Sequence, residues 1–304
     1  MIKISIILTT YNSENQLQEV INSIKDQEGK GELFDIELIV VDDCSNDSTN
    51  ELLKTNNISY LSTVKNSGGP NKGRNIALNK CNGDYICIAD HDDIWFANKI
   101  KKLLSVSHLA PIVTSGYILS DSSSSKEIFR VSSSLDNKEY LEYAKNETFR
   151  SKLTKSQDGQ QTYLGSILFH SSLKHILFEE EYGMIDFDWV LKLFYNQKSV
   201  EVCNALYLRK VAENNLSLNE QYRINDYNYS LKTILSYKSE YSALVKCSAK
   251  RINGSMGRYY YLMGNMKLAR NYLLKSTFEL KTILYILTTF VGSKIVKRHF
   301  KIFG

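Results

Sequence analysis

The stretch GDYICIADHDDIW, residues 83–95, shows most directly how this chain is organised. It opens on a turn signal and continues as an apolar, β-favouring run at residues 85–89, which has the length of a buried strand. Three carboxylates follow that run within four residues: Asp90, Asp92 and Asp93. The sequence therefore predicts a strand whose carboxyl end carries a cluster of acids.

The acid cluster needs a physical reason, because carboxylates held this close repel one another. A divalent cation such as Mg²⁺ or Mn²⁺, bound together with a phosphate, would supply one. The alternative is an acidic turn in front of a helix predicted at residues 96–104, and the stretch alone favours neither interpretation. His91 interrupts the cluster, but in an extended segment its side chain points away from its neighbours, so we do not expect it to be a ligand.

The composition is that of an ordinary globular protein. The chain has 304 residues, of which 43% are hydrophobic and 23% are charged, and only 2 prolines. Its five cysteines form no Cys-x-x-Cys pair and its five histidines have no metal-ligand spacing, so we expect reduced thiols and no structural zinc. No run reaches the roughly 18 apolar residues of a spanning helix, and no signal peptide is visible. These features predict a cytoplasmic protein.

Positive charge is concentrated towards the C-terminal end. From Lys246 onward the chain has 12 Lys and Arg residues and a single acid, Glu279, whereas residues 1–245 carry 26 basic and 32 acidic residues. A basic tail on a mildly acidic body is typical of proteins that contact nucleic acid or the anionic cytoplasmic leaflet of a membrane.

Predicted strands and helices alternate in the N-terminal third. Strands predicted at residues 4–8, 35–41 and 58–64 are each followed by a polar loop and a helical pattern, and Ser13 with Gln16 predicts a capping box at the first helix. Such alternation predicts an α/β fold with a mostly parallel sheet and helices on both faces. Ligands bind beyond the carboxyl ends of the strands in such sheets. Three polar clusters lie at those ends: residues 9–12, Asp42 with Asp43, and residues 90–93.

Four motifs stand in order within about the first 105 residues. They are TTYN at residues 9–12, VDDCSND at 41–47, NSGGPNKGRN at 66–75 and GDYICIADHDD at 83–93. Together they resemble family 2 glycosyltransferases of the GT-A fold, a Rossmann-like sheet with helices on both faces. Each motif alone is weak, whereas the ordered set is specific. The glycines spell neither a dinucleotide fingerprint nor a P-loop, which argues against those two classes.

The resemblance implies transfer of a sugar from a nucleotide-diphosphate sugar to an acceptor hydroxyl, with inversion. Such a reaction needs a base pocket, a cation beside the leaving diphosphate and a general base on the hydroxyl. By resemblance, Thr9 and Tyr11 lie around the nucleobase, where Tyr11 is able to stack, with Asn12 in the same site. Asp43 would accept a hydrogen bond from N3–H of uracil or thymine. Asp42 is expected to support it, or to be only a turn residue.

The resemblance also assigns the residues near the sugar and the diphosphate. Arg74 would lie near the base or the diphosphate, and Asp90 would bind the ribose or the sugar. Asp92 would hold Mn²⁺ or Mg²⁺, with Asp93 supporting either carboxylate. The alternative for Tyr11 and Arg74 is that they are ordinary surface residues.

A second acidic motif lies further on, in FEEEYGMIDFDW at residues 178–189. The family carries Glu-Asp-x-Asp at the start of a helix there, and the Asp after the Glu is the catalytic base. The resemblance therefore makes Asp186 the base and Asp188 its supporting neighbour, while Ile185 replaces the family's Glu. A helix N-terminus stabilises a carboxylate, so plain N-capping is the alternative.

The segment YLRKVAENNLS, residues 207–217, resembles another stretch of the family. Arg209, Asn215 and Ser217 match, but Val211 stands where many members have histidine. The resemblance then leaves Arg209, supported by Lys210, to contact the nucleotide sugar without that histidine. No Gln-x-x-Arg-Trp motif is present, which indicates one sugar per encounter.

We predict two domains. Residues 1–222 form the GT-A domain, with a nucleotide-binding half at 1–105 and an acceptor-side half at 106–222, and residues 223–304 form a basic helical region. Its last predicted helix, 282–303, mixes apolar and basic residues, as does a helix lying in a membrane interface. The alternative is a basic helix packed on the body.

The sequence and the resemblance together favour a metal-dependent, inverting hexosyltransferase. We expect it to use UDP-glucose or UDP-galactose and to act on a lipid-linked oligosaccharide or glycan of a bacterial surface polysaccharide, such as O-antigen or capsule. We place it in the cytoplasm, peripheral to the inner leaflet of the cell membrane. A dTDP-rhamnose donor is the alternative within this class, because the run at residues 90–95 also resembles rhamnosyltransferases. Outside this class, the chain could be a non-catalytic nucleotide- or nucleic-acid-binding module or an inactive scaffold, although we expect no nucleic acid partner.

Overall fold

The computed structural model describes residues 1–121, 126–133, 138–156, 158–211 and 219–291. The chain divides into two compact units. One comprises Met1–Phe149 and Asp158–Asn215, and the other comprises Arg150–Gln157 and Leu216–Gly304. The domain division predicted at residues 222 and 223 stays a prediction.

One sheet forms the centre of the first unit. The described ranges contribute ten strands: β1 (Ile2–Thr10), β2 (Phe34–Asp42), β3 (Tyr60–Ser62), β4 (Tyr85–Ala89), β5 (Asp93–Trp95), β6 (Ile112–Asp121), β7 (Lys126–Arg130), β8 (Tyr140–Tyr143), β9 (Leu168–His170) and β10 (Ser199–Val211). Their order is β3-β2-β1-β4-β9-β6-β10-β5, with β7 beside β6 and β8 beside β10. The pairs from β3 to β4 are parallel, as is β6 with β10, while the remaining pairs are antiparallel. The predicted α/β class is confirmed.

Helices accompany the strands along the chain. They are α1 (Leu17–Lys25), α2 (Thr49–Thr55), α3 (Asn71–Lys80), α4 (Lys99–Ser105), α5 (Glu147–Leu153) and α6 (Phe187–Phe194). β1 is almost entirely buried because both faces of the central strands are covered. One face packs against the apolar side of α1, which repeats at helical spacing: Leu17, Val20, Ile21 and Ile24.

One local prediction is wrong, and one predicted helix starts later than expected. The capping box does not form, because the Ser13 hydroxyl bonds to the backbone of Tyr11 and α1 begins only at Leu17. The helix predicted at residues 96–104 is present but runs from Lys99 to Ser105, because β5 extends to Trp95 and the next three residues form the turn into the helix. Before β9 the chain forms a 3₁₀ turn, Leu164–Ser166.

The second unit is helical, as predicted. It contains α7 (Glu220–Leu235), α8 (Ser242–Leu262), α9 (Met266–Leu273) and α10 (Leu280–Thr288). α8 and α9 form a helical hairpin, which turns at Gly264 with φ of 84°. Its core is rich in tyrosine: Tyr259, Tyr260, Tyr261 and Tyr285 are buried together with Met256, Ala269 and Leu273. The predicted last helix is described only as far as residue 291. Across the described ranges, no helix has the length and apolar character needed to cross a bilayer.

Candidate active site

The carboxyl ends of β1, β2 and β4 meet at one edge of the sheet. The register pairs Thr10 with Asp42 and Leu8 with Ala89, so the residues that follow these strands are neighbours. Thr9 is buried at the end of β1, whereas Tyr11 is 45% exposed just beyond it. The structure therefore brings the predicted base-binding residues to the edge where a parallel sheet binds ligands.

Asp42 and Asn12 tie the loops at this edge together. Asp42 Oδ1 accepts hydrogen bonds from the hydroxyls of Thr10 (2.9 Å) and Ser45 (2.6 Å), and its Oδ2 accepts one from the Ser45 N–H (2.9 Å). Asn12 Oδ1 accepts the N–H of Asn46 at 3.0 Å. These contacts favour the turn-residue alternative for Asp42.

Asp43 is buried and is held in a fixed orientation. Its Oδ1 accepts a hydrogen bond from the Thr63 hydroxyl at 2.6 Å, and both oxygens lie 3.0 Å from the Ser67 N–H. An ionised carboxylate has about four acceptor positions, so Asp43 retains capacity for a further donor. That is the property required to bind N3–H of a pyrimidine.

Arg74 and Asp90 form an ion pair just beyond the carboxyl end of β4. Arg74 Nη2 lies 2.7 Å from Asp90 Oδ1, and Nη1 donates to Asn71 Oδ1 at 3.1 Å. The guanidinium also lies 5.3 Å from the ring centre of Phe178. Arg74 is buried, and its Nε has no hydrogen-bond partner among the described residues. The pair places a positive group directly beside the acid cluster.

Burial and mutual repulsion act on the other two acids of the cluster. Burial raises the pKa of Asp93 well above its usual range, and the charges of Asp90 and Asp92 raise it further. Burial also raises the pKa of Asp92, and Asp90 adds to this rise while His91 and Arg209 oppose it. A cation at this place would relieve the repulsion.

The carboxylate oxygens of the acid cluster fit a metal ion that is bound partly by the protein and partly by the substrate. Among the described residues, no three His, Cys, Asp or Glu side chains are arranged to hold a metal ion by themselves. Mg²⁺ characteristically takes one or two carboxylates from the protein and completes its shell with phosphates and water. The crowded carboxylates of Asp90 and Asp92 match that requirement.

Arg209, on β10, lies close to the acid cluster, whereas Lys210 pairs with a residue outside it. Arg209 is opposite Asp93 in the register of β5 and β10, with its guanidinium 4.4 Å from the ring centre of Tyr163. Burial acts to lower the pKa of Arg209, but the tyrosines and Asp93 around it raise that pKa overall, so it stays cationic. Lys210, the next residue of the strand, bonds to Glu19 at 2.7 Å. Asn215 and Ser217, which match the family's segment, lie outside the described residues.

Asp186 occupies the N-cap position of α6, and its side chain makes no capping hydrogen bond. This finding weakens the plain N-capping alternative. Asp188, in the first turn of the helix, is buried and pairs with Lys192 at 2.6 Å. Ile185, which replaces the family's Glu, is buried.

Two residues near the site were not predicted. Lys99 is fully buried, and its Nζ donates to the Gly165 carbonyl and lies 4.4 Å from the ring centres of Trp95 and Tyr207. Burial lowers its pKa to about 8. The sequence contains one indication that Lys99 is buried, because it stands at helical spacing with the buried apolar residues of α4. Glu179 is buried too, but it stands in a run of three glutamates that is typical of a surface.

Residues 5–177 match the model of the family described as Glycosyl transferase family 2. The chain is 42% identical over 97 residues to the poly(ribitol-phosphate) beta-N-acetylglucosaminyltransferase TarS of Staphylococcus aureus. The aligned residues make up 31% of this chain and 17% of TarS. It is 33% identical over 108 residues to the dTDP-rhamnosyl transferase RfbG of Shigella flexneri (32% and 35% covered). It is 30% identical over 109 residues to the GalNAc(5)-diNAcBac-PP-undecaprenol beta-1,3-glucosyltransferase of Campylobacter jejuni (34% of each). The aligned part thus spans about a third of these relatives or less.

Solved structures resemble nearly the whole chain. The crystal structure of TarS residues 1–349 with UDP-GlcNAc gives a TM-score of 0.65 at 17% identity, covering 98% of this chain and 92% of that one. The mannosyltransferase PcManGT from Pyrobaculum calidifontis, with GDP-Man and Mn²⁺, gives 0.59 at 14% identity, covering 94% and 78%. These likenesses confirm the predicted GT-A fold. Since the family model matches more than half of its 304 residues, this chain belongs to glycosyl transferase family 2.

Proposed function

We propose that this chain is an inverting, metal-dependent hexosyltransferase that uses a UDP-sugar and acts on a surface-polysaccharide acceptor. The observation that carries the proposal is the arrangement at the sheet edge. A buried acceptor held in a fixed orientation, Asp43, and the crowded carboxylates of Asp90 and Asp92 lie at the carboxyl ends of β2 and β4, the strands on either side of β1. A separate helix start supplies a further carboxylate, Asp186.

The donor would be bound through its base and its charge. Tyr11 is exposed and available to stack on a pyrimidine, while Asp43 accepts its N3–H. The guanidinium of Arg74 and that of Arg209 add positive charge near the diphosphate. The UDP-GlcNAc in the TarS complex supports a UDP donor for this chain.

A divalent cation, held by Asp92 with Asp90 and Asp93 beside it, would supply positive charge to the leaving diphosphate. The Mn²⁺ in the PcManGT complex supports this choice of ion. Arg74 keeps Asp90 in place by its 2.7 Å contact. The chain's own contribution is therefore a fixed set of oxygen ligands with a guanidinium behind them.

Asp186 would act as the general base. Its carboxylate takes the proton of the acceptor hydroxyl while the hydroxyl oxygen forms a bond to the anomeric carbon of the sugar. The bond from that carbon to the diphosphate oxygen breaks, and its electron pair leaves on UDP. Attack on the face opposite the leaving group inverts the anomeric carbon. The start of a helix favours the ionised form that this base requires.

The acceptor and the membrane form the second part of the proposal. One relative acts by name on poly(ribitol-phosphate) and another on an undecaprenol-linked glycan, which supports a glycan or lipid-linked acceptor. α10 carries exposed apolar side chains within a basic region, among them Leu280 at 75% and Leu287 at 59% exposure. We place residues 1–222 in the transferase domain and assign contact with the inner leaflet to the C-terminal end of the basic region 223–304, where α10 lies.

A donor screen tests this function. Purified protein with Mn²⁺ is given UDP-GlcNAc, UDP-glucose, UDP-galactose or dTDP-rhamnose, and release of UDP or dTDP is measured with and without lipid-linked acceptors. We expect UDP release from one UDP-sugar. Release of dTDP alone would support the rhamnosyltransferase alternative, which the similarity to RfbG favours. Release from no donor would contradict the enzyme function.

A further inference from the structure

The segment between Glu179 and Asp186 contains no helix or strand, yet one carboxylate holds its backbone. Glu179 is 6% exposed. Its oxygens accept four backbone N–H groups: Tyr182 (2.8 Å), Gly183 (3.3 Å), Met184 (3.1 Å) and Ile185 (2.9 Å). Hydrogen bonds to an ionised acceptor are roughly twice as strong as neutral ones. The shape of this turn therefore depends on Glu179.

Asn71, the first residue of α3, joins the same turn to the nucleotide-binding half. Its Nδ2 lies 3.1 Å from Glu179 Oε1, 3.0 Å from the Glu179 carbonyl and 3.0 Å from the Ile185 carbonyl. Its backbone N–H donates to the Gly183 carbonyl at 3.0 Å. Asn71 is fully buried, so these bonds are shielded from water.

Arg74 extends the connection to the acid cluster. It donates to Asn71 Oδ1 at 3.1 Å and to Asp90 Oδ1 at 2.7 Å. A continuous chain of hydrogen bonds thus runs from Asp90, through Arg74 and Asn71, to Glu179. The turn that Glu179 holds ends at Asp186.

We propose that Glu179 is a positioning residue for sugar transfer. It fixes the shape of the turn that ends at Asp186 and, through Asn71, fixes the position of that turn relative to Asp90. This inference rests on the proposed function, because it gives Glu179 a catalytic task only if Asp186 is the base. Positioning matters, since a misplacement of about 1 Å can lower a rate by about 100-fold.

The arrangement also explains why isoleucine is tolerated at position 185. The Ile185 side chain is buried and apolar, and only its backbone N–H and carbonyl join the network. The carboxylate that organises the turn comes from Glu179, six residues earlier.

Hydrogen exchange measured by mass spectrometry tests the structural step without any substrate. Glu179→Gln keeps the size of the side chain but turns one acceptor oxygen into an N–H donor facing backbone N–H groups. We expect at least about 10-fold faster exchange at residues 182–185. Glu181→Gln, the same change at an exposed position two residues later, should exchange like the wild type. Unchanged exchange in Glu179→Gln would overturn the inference.

Kinetics test the catalytic step with the donor found by the screen. We expect Glu179→Gln to lower kcat by about 10- to 100-fold while the donor KM, and the Kd for UDP with Mn²⁺, change by less than about threefold. Glu179→Asp, which keeps the charge, should recover part of the loss. A wild-type kcat in Glu179→Gln, or a parallel loss of UDP binding, would overturn positioning.

A second variant applies if Glu179→Gln does not fold. Asn71→Ala leaves intact the four hydrogen bonds that Glu179 accepts from the backbone of residues 182–185, but it removes the Asn71 side chain that links the turn to Arg74. We therefore expect kcat to fall while the amides of residues 182–185 stay protected from exchange. Normal kcat in Asn71→Ala would contradict the link. A wild type that transfers no sugar would overturn the proposed function and the catalytic task with it, whereas exchange would still decide whether Glu179 holds the turn.

Discussion

Asp42 and Asp43 each accept three hydrogen bonds at this sheet edge, but from different partners. Asp42 accepts from Thr10 and from Ser45, three residues further on, and so closes the turn that follows β2. Asp43, the next residue, is held by Thr63 and Ser67 and keeps acceptor capacity. Asp-Asp pairs that look alike in sequence can therefore be told apart only by their contacts.

Asp43 should determine which base is bound. UDP offers an N3–H donor, whereas CDP has only an acceptor at that position. We expect the wild type to bind UDP more tightly than CDP by about 10-fold or more, because a buried hydrogen bond to a charged group is worth about 1.5–3 kcal/mol. Asp43→Asn places an amide there, which can donate as well as accept, so the preference should shrink. Calorimetry with both nucleotides measures it, and an unchanged ratio would argue against this role.

At the scale of elements, the two ends of the central strands have separate functions. The carboxyl ends of β1, β2 and β4 carry the site, while Glu37 joins their opposite ends. Its oxygens accept from Lys3 Nζ (2.9 Å), the Ser5 hydroxyl (2.5 Å) and the Asn82 N–H (2.9 Å). Burial alone would raise the pKa of Glu37, but these bonds outweigh it and lower that pKa to about 2.

Glu37 should stabilise the fold in a pH-dependent way. Its pKa is lower in the folded state than the ordinary 4.5, so its contribution is present above about pH 4.5 and is lost as the pH falls towards 2. We expect Glu37→Gln to lower the free energy of unfolding at pH 7 by about 1–2 kcal/mol, less than the full shift implies, because its partner Lys3 is half exposed and screened by solvent. Urea unfolding should show this gap narrowing below pH 4.

The matched control is Glu28→Gln. Glu28 lies 3.8 Å from Lys101 with both side chains about half exposed, and such pairs contribute little. A loss in Glu28→Gln as large as that in Glu37→Gln, or a gap that does not depend on pH, would contradict the assigned role.

The sequence predicts elements well where local pattern decides them. β4, Tyr85–Ala89, lies where its apolar run predicts it, and α6 begins directly after Asp186 as expected. β5 has three residues and pairs only with β10 among the described strands, so no local sequence pattern predicts it. The task of Glu179 depends on Asn71, which is more than 100 positions away in the chain. Buried polar networks of this kind cannot be predicted from periodicity.

At the scale of the whole molecule, the second unit adds a basic helical surface to a transferase fold. If it contacts the membrane, the exposed leucines of α10 should contribute to binding, since each buried CH₂ is worth about 0.8 kcal/mol. We expect the double variant Leu280→Ser and Leu287→Ser to bind liposomes containing anionic lipid at least about 10-fold more weakly than the wild type. Co-sedimentation measures this.

The control for this experiment is Leu235→Ser, which alters a leucine at the end of α7 that is 56% exposed. It should sediment with liposomes as the wild type does. Equal binding by the α10 double variant and the wild type would contradict the membrane assignment.

The most direct test of the central claim, that Asp186 is the base of a sugar transfer reaction, is the Asp186→Asn variant. Asparagine keeps the size of the side chain but cannot take the acceptor proton. With the donor from the screen, we predict transfer to fall by about 10²- to 10⁴-fold, while UDP with Mn²⁺ binds as it does to the wild type. Transfer at the wild-type rate by Asp186→Asn would contradict the assignment.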